Sequence, residues 1–115
     1  MPADVVIVRF KKKDFEAIAT NGVVDVDRTL CLGKVVTTYD DFPDIKSLLF
    51  RFTSGKEDNV MYQLSEHALH EIRRIAGDPE TEWDDPDVVE SLSADLEKIL
   101  MYTDFHKKSI AVYWI

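Results

Sequence analysis

The sequence predicts an α+β domain, with a mixed or antiparallel sheet whose N- and C-terminal strands lie at the centre and whose helices pack mainly on one face. Three observations predict it. Val5-Val6-Ile7-Val8 near the start and Ile110-Ala111-Val112-Tyr113-Trp114-Ile115 at the end are short continuous apolar runs rich in β-branched and aromatic residues, the pattern of strands buried on both faces. Between them, 65–76 and 86–102 carry apolar residues at helical spacing. The segments run strand, helix, two or three strands, helix, strand, two helices, strand, which is not a repeating βαβ series.

Each element has a local reason. In 13–20, Phe15, Ile18 and Ala19 share a helical face, and the segment stops at Asn21-Gly22, a pair equally suited to a hairpin turn. Strands are expected over 23–27, 29–39 and 59–64. Val24 and Val26 alternate with Asp25 and Asp27, and Val60, Tyr62 and Leu64 alternate with Met61 and Gln63, so each strand should keep one wet face. Gly33 interrupts 29–39 and marks a bulge or turn.

For 43–53 the reading is a helix rather than a strand: Asp41 and Pro43 resemble a start, Phe42, Ile45, Leu48, Leu49 and Phe52 form one stripe, and Gly55 follows. In 65–76, Ser65 is the expected N-cap, Ala68, Leu69, Ile72, Ile75 and Ala76 form the buried stripe, and Gly77 stands where a left-handed stop is expected. In 86–102, Asp85 is the expected N-cap before Pro86, and Val88, Val89, Leu92, Leu96, Ile99 and Leu100 recur on one arc.

A chain of 115 residues, 45% of them hydrophobic, is the size of one domain with a real core, and a single domain over 1–115 is expected. No apolar run approaches the roughly 18 residues of a membrane span, and the opening residues do not resemble a signal peptide, so a cytoplasmic protein is expected. Cys31 is the only cysteine, which excludes an internal disulfide and a cysteine metal site within one chain; a small buried strand residue is its expected role.

The acidity is local. Between Asp78 and Glu97 stand nine carboxylates and no Lys or Arg, a formal −9 against −8 for the whole chain, leaving +1 elsewhere. Part of this is ordinary helix chemistry, since Asp85, Asp87 and Glu90 fall where carboxylates complement a helix N-terminus. The remainder surrounds Trp83. A single-sign field beside an aromatic points to a basic protein partner, with Trp83 as anchor and Glu80, Glu82, Asp84, Asp85, Asp87 and Glu90 as the candidate partner-binding residues.

Other chemistry is thinly represented. His67 and His70 at i, i+3, with Glu71 or with His106 beyond Asp104, offer a possible metal set, but Arg74 is adjacent and the His-Glu-x-x-His spacing is absent. Asp78, Glu80, Glu82 and Asp84 at every second position imitate a calcium loop, yet Trp83 stands where its glycine belongs and Val89 where its closing glutamate belongs. Asp25-x-Asp27 reads as two outward acids on a strand. No nucleophile elbow, phosphate-cradling glycine loop or dinucleotide fingerprint occurs, so no catalytic residue, cofactor or metal is assigned.

Lys11-Lys12-Lys13 and Lys107-Lys108 form the basic clusters, read as a small edge flanking strand ends. Nucleic-acid binding is not expected at this net charge, nor is membrane binding. In size, acidity and lack of catalytic signatures the chain is similar to immunity proteins of toxin systems and phage-encoded nuclease inhibitors, a likeness of class carried by no motif. It implies a non-enzymatic binding or inhibitor protein whose carboxylates occupy the basic site of a toxin, nuclease or nucleic-acid-binding protein. The alternatives are a small metal-dependent enzyme using His67, His70 and His106, and a structural or oligomerising domain.

Overall fold

The computed structural model describes residues 4–20, 23–25, 33–40, 42–55, 57 and 60–114. Their order is β1 (Val5–Lys11), α1 (Lys12–Ile18), β2 (Val23–Asp25), β3 (Lys34–Tyr39), α2 (Pro43–Leu49) with a 3₁₀ turn (Phe50–Phe52), β4 (Val60–Leu64), α3 (Glu66–Ala76), α4 (Pro86–Tyr102) and β5 (Lys108–Trp114). The strands form one five-stranded sheet in the order β2-β4-β5-β1-β3, and every neighbouring pair is antiparallel. The two apolar runs are therefore inner strands. They pair from Val5 opposite Trp114 to Lys11 opposite Lys108.

Strand alternation divides the interior into two layers. Val5 and Ile7 of β1, Tyr62 and Leu64 of β4, and Ile110 and Val112 of β5 face a main core closed by α2, α3 and α4. Val6, Val8 and Phe10, with Met61, Ala111 and Tyr113, face the other way, where Phe15 of α1 covers them and Ile18 and Ala19 pack alongside. The Phe10 and Phe15 rings lie 5.4 Å apart at their centroids. Three helices on one face and one on the other is the expected arrangement. The α1 layer also corrects the reading of β4: Met61, expected on a wet face, is fully buried against the second layer, while Gln63 stays exposed.

The two later helices follow their periods. α4 spans the expected residues, with Val89, Leu92, Leu96 and Ile99 buried. α3 buries Ala68, Leu69, Ile72 and Ala76, and the Ser65 hydroxyl oxygen accepts the Ala68 N–H at 3.1 Å. Gly77 does not adopt the left-handed stop; at φ −90° and ψ 3° its N–H returns to the Arg73 carbonyl at 3.1 Å. Together with the bond from the Asp78 N–H to the Ile75 carbonyl at 3.2 Å, this satisfies carbonyls of the last turn without a positive φ.

The helix expected over 43–53 is shorter than its pattern. α2 ends at Leu49 and tightens into the 3₁₀ turn, after which Thr53 is extended, with its hydroxyl 2.9 Å from the Phe50 carbonyl and 2.8 Å from that of Gly55. Such local side-chain bonds compete with helical ones. In consequence Phe50, not Phe52, joins the core: it meets Tyr62 edge to face at 6.1 Å, and Phe52 is left 38% exposed.

α1 runs from 12 to 18 rather than 13 to 20, and Thr20 and Val23 exchange reciprocal backbone bonds of 2.9 and 3.1 Å around the Asn21-Gly22 step. β3 begins after a bend at Gly33, and its pairing with β1 shifts register between Ile7 and Val8. The bend stands at the expected residue, whereas the register shift falls further on, with Val36 as the extra residue between the partners of Ile7 and Val8; the part of 29–39 before Gly33 lies outside the described residues. Asn21, Gly22, Asp27, Cys31 and Asp41, on which several sequence expectations rest, lie outside the described residues.

Candidate functional site

The acidic block separates into carboxylates that serve the fold and carboxylates that do not. Asp78, just past α3, accepts the Glu80 N–H at 2.9 Å and the Thr81 hydroxyl at 3.1 Å, closing a local turn on itself. Asp95 accepts the Tyr39 hydroxyl at 2.5 Å and ties α4 to β3. Glu97 pairs with Arg73 of α3 at 3.5 Å.

Asp85 stands at the N-cap position of α4, but its side chain makes no capping bond, which corrects the sequence expectation. Its backbone N–H instead donates to the carboxylate of Asp44 at 2.8 Å. Asp44 is buried in the first turn of α2. In sequence it looks like an ordinary dipole-complementing acid, and only the tertiary fold shows that it anchors the segment.

Trp83 is half-buried and packs against the main core, with its indole Nε1–H buried and without a hydrogen-bond partner. The segment between α3 and α4 is therefore held at three places: the Asp78 turn, the Trp83 ring and the Asp44–Asp85 bond. Glu80, Glu82, Asp84, Asp87 and Glu90 are exposed, and none of them makes an ion pair among the described residues. The six acids expected to surround Trp83 thus comprise five free carboxylates and Asp85, whose main chain is committed to the fold.

The histidines are not gathered. His67 and His70 are exposed on α3, where Glu71 is engaged by Arg74 in two bonds of 2.8 and 3.0 Å. That guanidinium holds the Glu71 carboxyl below the usual carboxylate range. Among the described residues no three His, Cys, Asp or Glu side chains are placed to hold one metal ion, so the metal reading of His67, His70 and His106 finds no centre here. His106 instead lines a cavity of about 520 Å³ with the lysines of both basic clusters.

The class defined by these features is an antiparallel α+β domain with one ordered, uncompensated acidic surface. Comparison with family models, curated proteins and solved structures finds no match for this chain. No helix among the described residues is long and apolar enough to cross a membrane.

Proposed function

We propose that this chain is a small acidic binding or inhibitor module, comparable in class to immunity proteins and nuclease inhibitors, that engages a basic protein partner through the segment before α4 and the opening turns of that helix. The observation that carries the reading is the set of five exposed, unpaired carboxylates (Glu80, Glu82, Asp84, Asp87 and Glu90) on a segment anchored by Trp83 and Asp44. Charge held on a fixed frame is already organised for a partner, so little ordering entropy is lost on association. Such a field steers encounter and selects partners by sign. Trp83 supplies the apolar centre of the surface, with Asp85 beside it.

The test is affinity capture by the full chain at low salt, run in parallel with the E80S/E82S/D84S variant. A basic protein retained by the parent chain, released by salt and lost with the variant supports the proposal. Identical proteins captured by both chains, or no basic protein at all, overturns it.

A further inference from the structure

Where β1 ends and β5 begins, the fold gathers five lysines. Lys11 ends β1 and lies directly across from Lys108, which begins β5. The Lys12 N–H donates to the Lys107 carbonyl at 2.9 Å, locking the two segments together. The turn before β5 is pinned by Asp104, whose carbonyl accepts the N–H groups of Lys107 and Lys108 at 2.9 and 2.8 Å and whose carboxylate accepts that of His106 at 3.0 Å. The five lysines Lys11, Lys12, Lys13, Lys107 and Lys108 line the cavity of about 520 Å³ together with His106, and Glu16 is its single carboxylate. None of the five lysines makes an ion pair among the described residues.

Lys11 and Lys108 stand where β1 and β5 run past their outer neighbours, since β1 pairs with β3 only as far as Arg9 and β5 pairs with β4 only from Ile110, so both lysines flank strand ends. Shielding those ends does not require the two charges to face each other. Like charges directly opposite on neighbouring antiparallel strands are destabilising, and Lys11 and Lys108 hold that relation in a protein of net charge −8. A multiply charged anion in the cavity removes the repulsion.

We propose that this cavity binds a compact ligand carrying two or more linked phosphate groups. Five ammonium groups against one carboxylate demand several negative charges in a small volume, and lysines meet phosphate oxygens as point charges without a fixed fork geometry. The volume is that of a small-molecule site. No Phe, Tyr or Trp lines it and His106 is its single ring, so it lacks the series of stacking platforms on which single-stranded nucleic acids bind. The remote acidic field also opposes a long polyanion more than a compact one. This site is independent of the acidic surface and shares no residue with it.

The experiment is calorimetric titration of the full chain with inorganic tripolyphosphate, pyrophosphate and orthophosphate at constant ionic strength, repeated with K12Q/K108Q and with K98Q, a lysine outside the cavity. One saturable site is expected, with affinity falling from tripolyphosphate to orthophosphate. K12Q/K108Q should lose about tenfold per lysine, the size of a charge-assisted hydrogen bond, and K98Q should bind as the parent does. Thermal melting of K12Q/K108Q at or above the parent temperature shows that the loss is not unfolding. Absence of saturation, equal affinity for the three anions, or full binding by K12Q/K108Q overturns the proposal. So does oligothymidylate binding that tightens with strand length while tripolyphosphate fails to compete, which assigns the lysines to a nucleic-acid surface.

Discussion

The carboxylate of Asp44, buried at the start of α2, accepts the backbone N–H of Asp85, which precedes α4, at 2.8 Å. One acid thereby organises another. The bond fixes where the acidic segment enters α4 and satisfies the Asp85 main-chain donor, which has no partner within the helix. Asp44→Ala should cost about 1–3 kcal/mol, the penalty for stranding a buried hydrogen-bond partner. Asp44→Asn keeps an acceptor oxygen and should cost less. Urea unfolding measures both, and hydrogen exchange at the Asp85 amide should accelerate in the alanine variant before global unfolding does.

Tyr39 and Asp95 predict an alkaline limit to stability. Burial, reinforced by the Asp95 carboxylate that accepts its hydroxyl, pushes the Tyr39 phenol well above the ordinary tyrosine range. The folded state therefore keeps a proton that the unfolded chain releases near pH 10. Its contribution is fully present below that value and is lost as the pH rises past it. Tyr39→Phe should lower stability at neutral pH by about 1–2 kcal/mol through the unpaired Asp95 and flatten the alkaline decline. A shallower slope should persist from Tyr113, whose phenol is also raised by burial. Thermal melts from neutral pH to above pH 10 decide this, and an unchanged alkaline slope in Tyr39→Phe would sink the assignment.

Gly33 tests the packing beneath β3. A Cβ added there would overlap the Phe10 ring and stand 2.6 Å from Val8 Cγ1. Gly33→Ala should destabilise by about 1–3 kcal/mol, the usual cost of overpacking. Phe10→Leu makes room and should absorb much of that penalty when combined with Gly33→Ala, although it weakens the Phe10–Phe15 contact by itself. Additive losses in the double variant would mean that Gly33 is needed for its backbone rather than for space.

What the sequence discloses is what depends on near neighbours. The inner strands are legible because Val5-Val6-Ile7-Val8 and Ile110-Ala111-Val112-Tyr113 are apolar at every position, and α4 because its period holds over 17 residues. Met61 misleads because the helix that covers it, α1, lies more than forty residues earlier in the chain. The same holds at the sites. The exposed carboxylates are visible as a run, but the buried acceptor for Asp85 is 41 residues away. Lys11 meets Lys108 only through the register of β1 on β5.

The acidic block should respond to mutation with opposite signs in its two halves. Glu80, Glu82 and Asp84 are exposed and without ion pairs among the described residues, so their mutual repulsion is an uncompensated cost of folding. E80S/E82S/D84S should leave stability unchanged or raise it by about 0.5 kcal/mol at low salt. Because charges separated by more than about 8 Å are largely screened at physiological ionic strength, that gain should shrink as salt is added. Asp95→Asn removes the charge of the acceptor that Tyr39 uses, and Glu97→Gln removes the partner of Arg73. The first should destabilise by about 1 kcal/mol or more and the second by well under that, since Glu97 is an exposed pair. Parallel urea titrations at low and high salt separate the halves. If E80S/E82S/D84S loses stability as Asp95→Asn does, those three carboxylates are structural groups, and the surface proposed for a basic partner is part of the frame instead.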